Sequence, residues 1–200
     1  MAKALLELIA RKLPGKVLQS HSQHGDETVV VAPQDWYEVH ALLKDDPLAD
    51  MQMLVDLTAV DFPKRLPRFE VVTHLSSLRL GHRIRVKARV GDADGENAVI
   101  DTITPLWASA NWAERECFDT MGIRFAGHPD LRRILLYPEF VGHPLRKDYP
   151  AELTQPLVPY RDADNTEKLP PFDPYEGMPF GRKTHHLPRV TDPNAIQERD

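Results

Sequence analysis

Two hundred residues with 42% hydrophobic and 28% charged content describe one domain of ordinary size with enough apolar material for a core. The net charge of −5 argues against a dedicated nucleic-acid binder, which is normally basic. The single cysteine, Cys117, excludes an internal disulfide framework and a self-contained iron–sulfur cluster, which needs about four thiolates.

In chain order, MAKALLELIARKLPG reads as a short amphipathic helix ending at Pro14-Gly15, with Glu7 and Arg11 interrupting any signal-peptide core. ETVVVAP (27–33) is a β-branched strand, and PQDWYEVHALLKDD (33–46) is a helix with Trp36, Val39, Leu42 and Leu43 on one face. MQMLVDLTAVDF (51–62) is apolar enough for a central strand. Residues 68–80 and 82–90 flank Gly81 as a hairpin, and 98–103 is a further strand. TPLWASANWAERECFDTMG (104–122) predicts a helix with Thr104 as N-cap, Pro105 in the first turn and Gly122 after its end. These strands and helices with short links imply an α+β fold: a mixed or antiparallel sheet with helices on one face. No apolar run nears the roughly 20 residues that cross a bilayer.

Proline divides the chain. Residues 1–125 hold six of the 18 prolines and residues 126–200 hold the other twelve. Proline lacks the backbone donor and breaks helix interiors. Residues 1–125 therefore read as the packed domain and 126–200 as a long extended Pro-rich arm.

Three features invite a functional reading. In the strand 82–90, period-2 alternation puts Arg83, Arg85, Lys87 and Arg89 on one face. Aromatics that would stack on bases are not interleaved with them, so a solvated face or one meeting an acidic partner is the better reading than an RNA surface. On the 104–122 helix, Glu114 falls inside the apolar arc, while Arg115 and Asp119 fall opposite it as an i,i+4 surface pair. A carboxylate aimed at a core needs a partner. The arginines at 132, 133 and 146 are the nearest candidates, and a clamp between domain and arm is preferred to an acid–base role. Trp112, on the polar side, is either an interface anchor or packed under the arm.

Gly-His-Pro occurs twice, at 127–129 and 142–144. A metal site using His128 and His143, alone or with His185-His186, lacks ligand pairs at zinc spacings. Histidines before proline are held extended, so the repeats read as two rigid corners whose rings bond to backbone. Arg132, Arg133, Arg146 and Lys147 then tie the arm to Glu114, Glu116 or a partner's carboxylates. No nucleophile elbow, P-loop or dinucleotide-binding glycine pattern occurs, so no catalytic, cofactor or metal residue is assigned.

The stretch from Trp112 to Pro150 resembles the signature of the C subunit of proton-translocating NADH:quinone oxidoreductase, respiratory complex I. The resemblance rests on Glu-Arg-Glu (114–116), Asp119, Gly-Ile (122–123), His-Pro-Asp-Leu-Arg-Arg (128–133) and Gly-His-Pro-Leu-Arg-Lys-Asp-Tyr-Pro (142–150), where Asp148 lies. DLTAVDFP (56–63) and RFEVVTHLSSL (68–78) are also similar. It covers residues 50–150 well, 1–49 loosely and 151–200 hardly at all, and Cys117 and Thr120 depart from the usual residues. The resemblance implies a structural subunit of the peripheral arm without flavin or iron–sulfur cluster, those groups belonging to partner subunits. It implies packing against the quinone-site subunit (the D subunit of the complex), whose surface would give the arm its structure, and no nucleic acid. It also implies peripheral attachment, through the complex, to the cytoplasmic side of a bacterial inner membrane. The same scaffold serves membrane-bound hydrogenases and quinone oxidoreductases with other donors. A free-standing nucleic-acid-binding module or metallohydrolase is the alternative of a different class.

Overall fold

Segments in which apolar and polar residues alternate become the strands of a five-stranded sheet, and the amphipathic segments become helices laid across it. The computed structural model describes residues 2–156, with side chains from Leu5 onward. The elements are α1 (Ala2–Lys12), β1 (Val17–Gln23), β2 (Asp26–Val31), α2 (Trp36–Asp45), β3 (Met53–Asp61), β4 (Phe69–Ser76), β5 (Arg83–Val90), β6 (Val99–Asp101), α3 (Ala110–Met121) and β7 (Arg124–Ala126). The main sheet has the order β1-β2-β5-β4-β3. Its β2–β5 pair is parallel and the others antiparallel, while β6 and β7 form a separate parallel pair.

Successive strand residues point to opposite faces. Val29, Val31, Leu57, Ala59, Val71, Leu75, Val86 and Ala88 form one face, and they share a single buried cluster with Leu5, Leu8 and Ile9 of α1, Trp36, Val39 and Leu43 of α2, and Cys117 and Met121 of α3. The helices thus cover one face of the sheet, the α+β arrangement expected. Fully buried Trp36 and Phe69 each remove enough apolar surface to contribute about 2–3 kcal/mol. Among the described residues the opposite face carries no helix.

β1 and α3 both depart from the sequence expectation. β1 carries no apolar alternation to announce it, because six of its seven residues are exposed. Only the His24-Gly25 pair, at φ 56 and 85, signals the β1–β2 hairpin. α3 begins at Ala110 rather than Thr104. The Thr104 hydroxyl is occupied by the Thr102 hydroxyl at 2.9 Å instead of capping a helix. Leu106 and Trp107 N–H both donate to Ile103 O, closing a turn ahead of the helix. At its other end α3 stops at Gly122 as expected. Gly122 is left-handed at φ +79, and a Cβ there would lie 2.5 Å from Arg146 and 2.7 Å from His143.

From Gly127 to Pro156 the chain contains neither helix nor strand. It nevertheless falls in the same compact unit as the domain.

Candidate functional site

α3 presents two carboxylates to two different surroundings. Glu114, on the core side, has no exposed surface. It accepts from the Thr102 hydroxyl at 2.5 Å and the Ile103 N–H at 2.8 Å. The expectation of an arginine partner is corrected here: none of Arg132, Arg133 or Arg146 reaches it. With no cation to stabilise its charge, burial pushes its pKa up to about 7, the two hydrogen bonds opposing only part of the rise. Below that value the carboxyl is neutral and needs no cation. His128 Nε2 is 3.9 Å away. His128 Nδ1 accepts the Asp130 N–H, so the proton sits on Nε2, which donates to Asn111 O at 3.2 Å.

Asp119 is also fully buried, although the helix register places it opposite the core. The arm covers that side. One carboxylate oxygen accepts the successive N–H groups of Ile134 (3.0 Å), Leu135 (2.8 Å) and Leu136 (2.8 Å). The other accepts from Arg133 Nη1 at 2.8 Å. Burial alone would raise its pKa, but these donors outweigh it and hold the group below the ordinary carboxylate range. Arg115, expected to pair with Asp119 on the surface, donates instead to Arg132 O and Arg133 O, both at 3.1 Å. The arm's carbonyls outcompete Asp119 because Asp119 is already filled.

Arg133 continues to Gly142 O at 3.1 Å, linking the first Gly-His-Pro corner to the second. In the second, His143 Nδ1 meets Asp119 O at 2.9 Å, and burial lowers the ring's pKa. Both histidines thus bond to backbone, as their His-Pro context predicts. Gly142 is left-handed at φ +87 with the Tyr149 ring 2.9 Å from where a Cβ would stand, so the corner takes only glycine without displacing that ring. Arg146 caps the end of α3, donating to Met121 O at 2.8 Å and to Gly95 O at 3.0 Å.

A third anchor joins segments 80 residues apart. Arg68, 2% exposed, makes a two-pronged contact with Asp61 (2.8 and 2.8 Å) and another with Asp148 (2.9 and 2.8 Å). The Lys147 N–H completes Asp61 at 2.8 Å. The guanidinium of Arg68 holds both carboxyls below their usual range.

Of the residues singled out in the sequence, Glu114, Asp119, His128, Arg133, His143, Arg146 and Asp148 are therefore engaged. Glu116 is exposed and its carboxylate makes none of these contacts. Among the described residues Arg132 pairs with Asp130 at 2.9 Å, and Lys147 contributes its backbone N–H to Asp61. Sequence reasoning does not find Asp61, Arg68, Thr102 or Arg115 as anchors; Asp61 and Arg68 lie within the two similar upstream segments, where no pairing signal is local. Trp112 is 66% exposed with the Arg115 guanidinium 5.6 Å over its ring, beside the arm and not under it. Cys117 is buried with its thiol pushed well above the usual range by burial, which leaves it a poor nucleophile. Among the described residues no group of three His, Cys, Asp or Glu is placed to hold a metal; His185 and His186 lie outside those residues. The arrangement ties one segment to another.

Comparison with known proteins follows the same outline. Residues 29–155 match the family model of the respiratory-chain NADH dehydrogenase 30 Kd subunit. The C subunit of the NADH-quinone oxidoreductase of Rhodobacter capsulatus is 41% identical over 180 residues, covering 84% of this chain and 88% of the relative. That of Trichlorobacter lovleyi is 45% identical over 148 residues, covering 74% and 88%. Among solved structures, a trypsin-resistant fragment of Nqo5 (1–134) superposes with a TM-score of 0.52 at 32% identity, over 64% of this chain and 97% of the fragment. A chain of an archaeal respiratory membrane complex, the membrane-bound sulfane sulfur reductase, superposes at 0.63 with 26% identity, over 75% and 86%. By its sequence and by its fold, the chain belongs to the 30 Kd subunit family of respiratory-chain NADH dehydrogenases.

Proposed function

We propose that this chain is a structural subunit of the peripheral arm of an NADH:quinone oxidoreductase, bracing the quinone-site subunit (the D subunit) while partner subunits carry the flavin and iron–sulfur clusters. The observation that carries the reading is the two-sidedness of the arm. Backbone amides of residues 134–136 and 147 and the guanidinium groups of Arg133 and Arg146 face inward to Asp119, Asp61 and the end of α3, while Leu135, Val141 and Leu145 are turned outward at 63%, 56% and 50% exposure. Exposed apolar residues on a fixed backbone are what a partner surface needs. Trp112 extends that band along α3 and suits an anchor. No described helix is long and apolar enough to cross a membrane, and attachment to the cytoplasmic side of a bacterial inner membrane would then run through the complex. Residues 157–200, expected to wrap the partner, lie outside the described residues.

A second reading keeps the scaffold and changes the electron donor. The likeness to the archaeal sulfane sulfur reductase complex favours considering it, since electrons in that arrangement would enter elsewhere. Affinity purification of the tagged chain from detergent-solubilised membranes separates the two. Co-purification of a flavin-containing NADH-oxidising module and a quinone-site subunit is expected, and deletion of the chain abolishes NADH:quinone turnover by disassembly. A complex that assembles and turns over normally without the chain overturns the proposal.

A further inference from the structure

The face of the main sheet that no described helix covers has no part in the contacts described above, yet it gathers four cations from a single strand. Arg83, Arg85, Lys87 and Arg89 of β5 all point to it, opposite the buried set Ile84, Val86, Ala88 and Val90. Glu70 of β4 lies in its centre at 4% exposure and receives Lys87 (2.8 Å), Arg65 (3.1 Å) and Arg89 (3.4 Å). One carboxylate cannot neutralise three cations. What it does is draw their stems over Val30 and Val72, which are only 4% and 5% exposed despite lying on the uncovered face.

At the other end of β5 the charges are freer still. Among the described residues Arg85 donates to the Thr28 hydroxyl at 3.3 Å, with Asp56, the cross-strand partner of His74, on the same face. Arg83 is 4.0 Å from Asp26 with its side chain 76% exposed. At the β3 edge, Val60 and Phe62 are 39% and 36% exposed, with Arg65 stacked 3.8 Å from the Phe62 ring. The face is thus a pre-ordered cationic field with an apolar margin, on a chain whose net charge is −5.

We infer that this face docks an acidic segment of a partner polypeptide, its Asp and Glu side chains supplying the carboxylates that Glu70, Asp26 and Asp56 are too few to provide for Arg65, Arg83, Arg85, Lys87 and Arg89, at a surface separate from the arm. Charge complementarity selects the partner. An RNA would want several aromatic rings interleaved among the strand positions for stacking, and the positions paired across this face, Gln19, Thr28, Val30, Val72, His74 and Thr58, supply only the imidazole of His74, with Phe62 at the margin. The chain's overall negative charge also opposes long-range capture of a polyanionic backbone. The inference takes the chain to be one member of an assembly, as proposed above.

The test uses the full chain with labelled poly-L-glutamate and with poly-U RNA of equal length, at about 50 and about 200 mM salt. Poly-L-glutamate is expected to bind at low salt and weaken as salt rises. The Arg83→Glu/Arg85→Glu pair should weaken it by about tenfold, and Arg83→Gln/Arg85→Gln should give a smaller loss in the same direction. Arg132→Glu, the same charge reversal at one position on the arm, leaves it unaltered. In the purified complex, carbodiimide should couple Lys87 to a carboxylate of another subunit. Poly-L-glutamate binding that is absent or indifferent to Arg83 and Arg85, tighter binding of poly-U, or a Lys87 as open to acetylation in the complex as in the isolated chain would each overturn the inference. A chain that co-purifies with no other protein breaks the proposed function instead, and the peptide assay then decides this surface by itself.

Discussion

The core between helices and sheet and the arm from Gly127 to Pro156 are held by different physics. In the core, Trp36, Val39 and Leu43 meet Val71, Val86 and Ala88 through many small apolar contacts, none of which is decisive alone. In the arm, order comes from a few polar anchors, each serving several segments: Asp119 gathers four donors, Arg68 two carboxylates, Arg146 the end of α3 and a distant loop. A segment without helix or strand must satisfy its amides elsewhere, and here buried carboxylates do so. The expected consequence is that the core yields gradually to substitution, whereas the arm fails at single residues.

The largest effect should come where the two regions meet. Arg68→Met leaves Asp61 buried without its counter-charge and frees Asp148. A loss of about 3–5 kcal/mol in urea unfolding is expected, and a loss under about 1 kcal/mol would mean that the anchor is idle. Next comes Asp119→Asn. An amide accepts at one atom only and presents an NH2 to N–H and guanidinium donors, so about 2–3 kcal/mol should be lost. Protease cleavage should appear between residues 127 and 149 before the sheet is touched; simultaneous cleavage of core and arm would show that they are not separately held.

Glu114 gives a pH test that sharpens the contrast between the carboxylates. Folded Glu114 keeps its proton up to about pH 7, whereas an ordinary glutamic acid releases it near 4.5. Between those values the folded state binds the extra proton, so stability falls as pH rises. Relative to Glu114→Gln, which keeps a neutral group there, the wild-type chain should lose on the order of 2 kcal/mol across that window. Asp119, its pKa depressed, contributes in the opposite sense: its stabilisation is lost as pH falls below the ordinary carboxylate range. A wild-type profile parallel to that of Glu114→Gln contradicts the placement. The smallest effects belong to side chains that face outward. Trp112→Ala and Lys147→Ala should each shift stability by less than about 0.5 kcal/mol, while Trp112→Ala alone should weaken co-purification of the quinone-site subunit.

Local patterns carry much of this structure, and long-range pairing does not show in them. Alternation marks β3, β4 and β5, and Gly122 marks the end of α3. β7 escapes because three residues are too few for a period, and β1 because an edge strand with six exposed residues looks like a loop. Thr104 and Pro105 resemble a helix start, but the Thr104 hydroxyl pairs with Thr102, whose own hydroxyl serves Glu114. In the site, the His-Pro sequence announces two fixed corners bonded to backbone. An arginine is the wrong expectation for Glu114 because a buried carboxyl that keeps its proton can be satisfied by a hydroxyl and an amide. The Asp61–Arg68–Asp148 anchor has no local sign at all, since its last member lies 80 residues beyond the arginine.

Hydrogen exchange at the backbone amides of Ile134, Leu135 and Leu136 in the isolated full-length chain is the most direct measurement. If the arm is fixed by Asp119 in advance of any partner, these three amides are protected, and Asp119→Asn releases all three together while the amides of β4 and β5 stay slow. Exchange of the three at the rate of an unstructured peptide in the wild-type chain would contradict a preformed arm and leave its ordering to the partner.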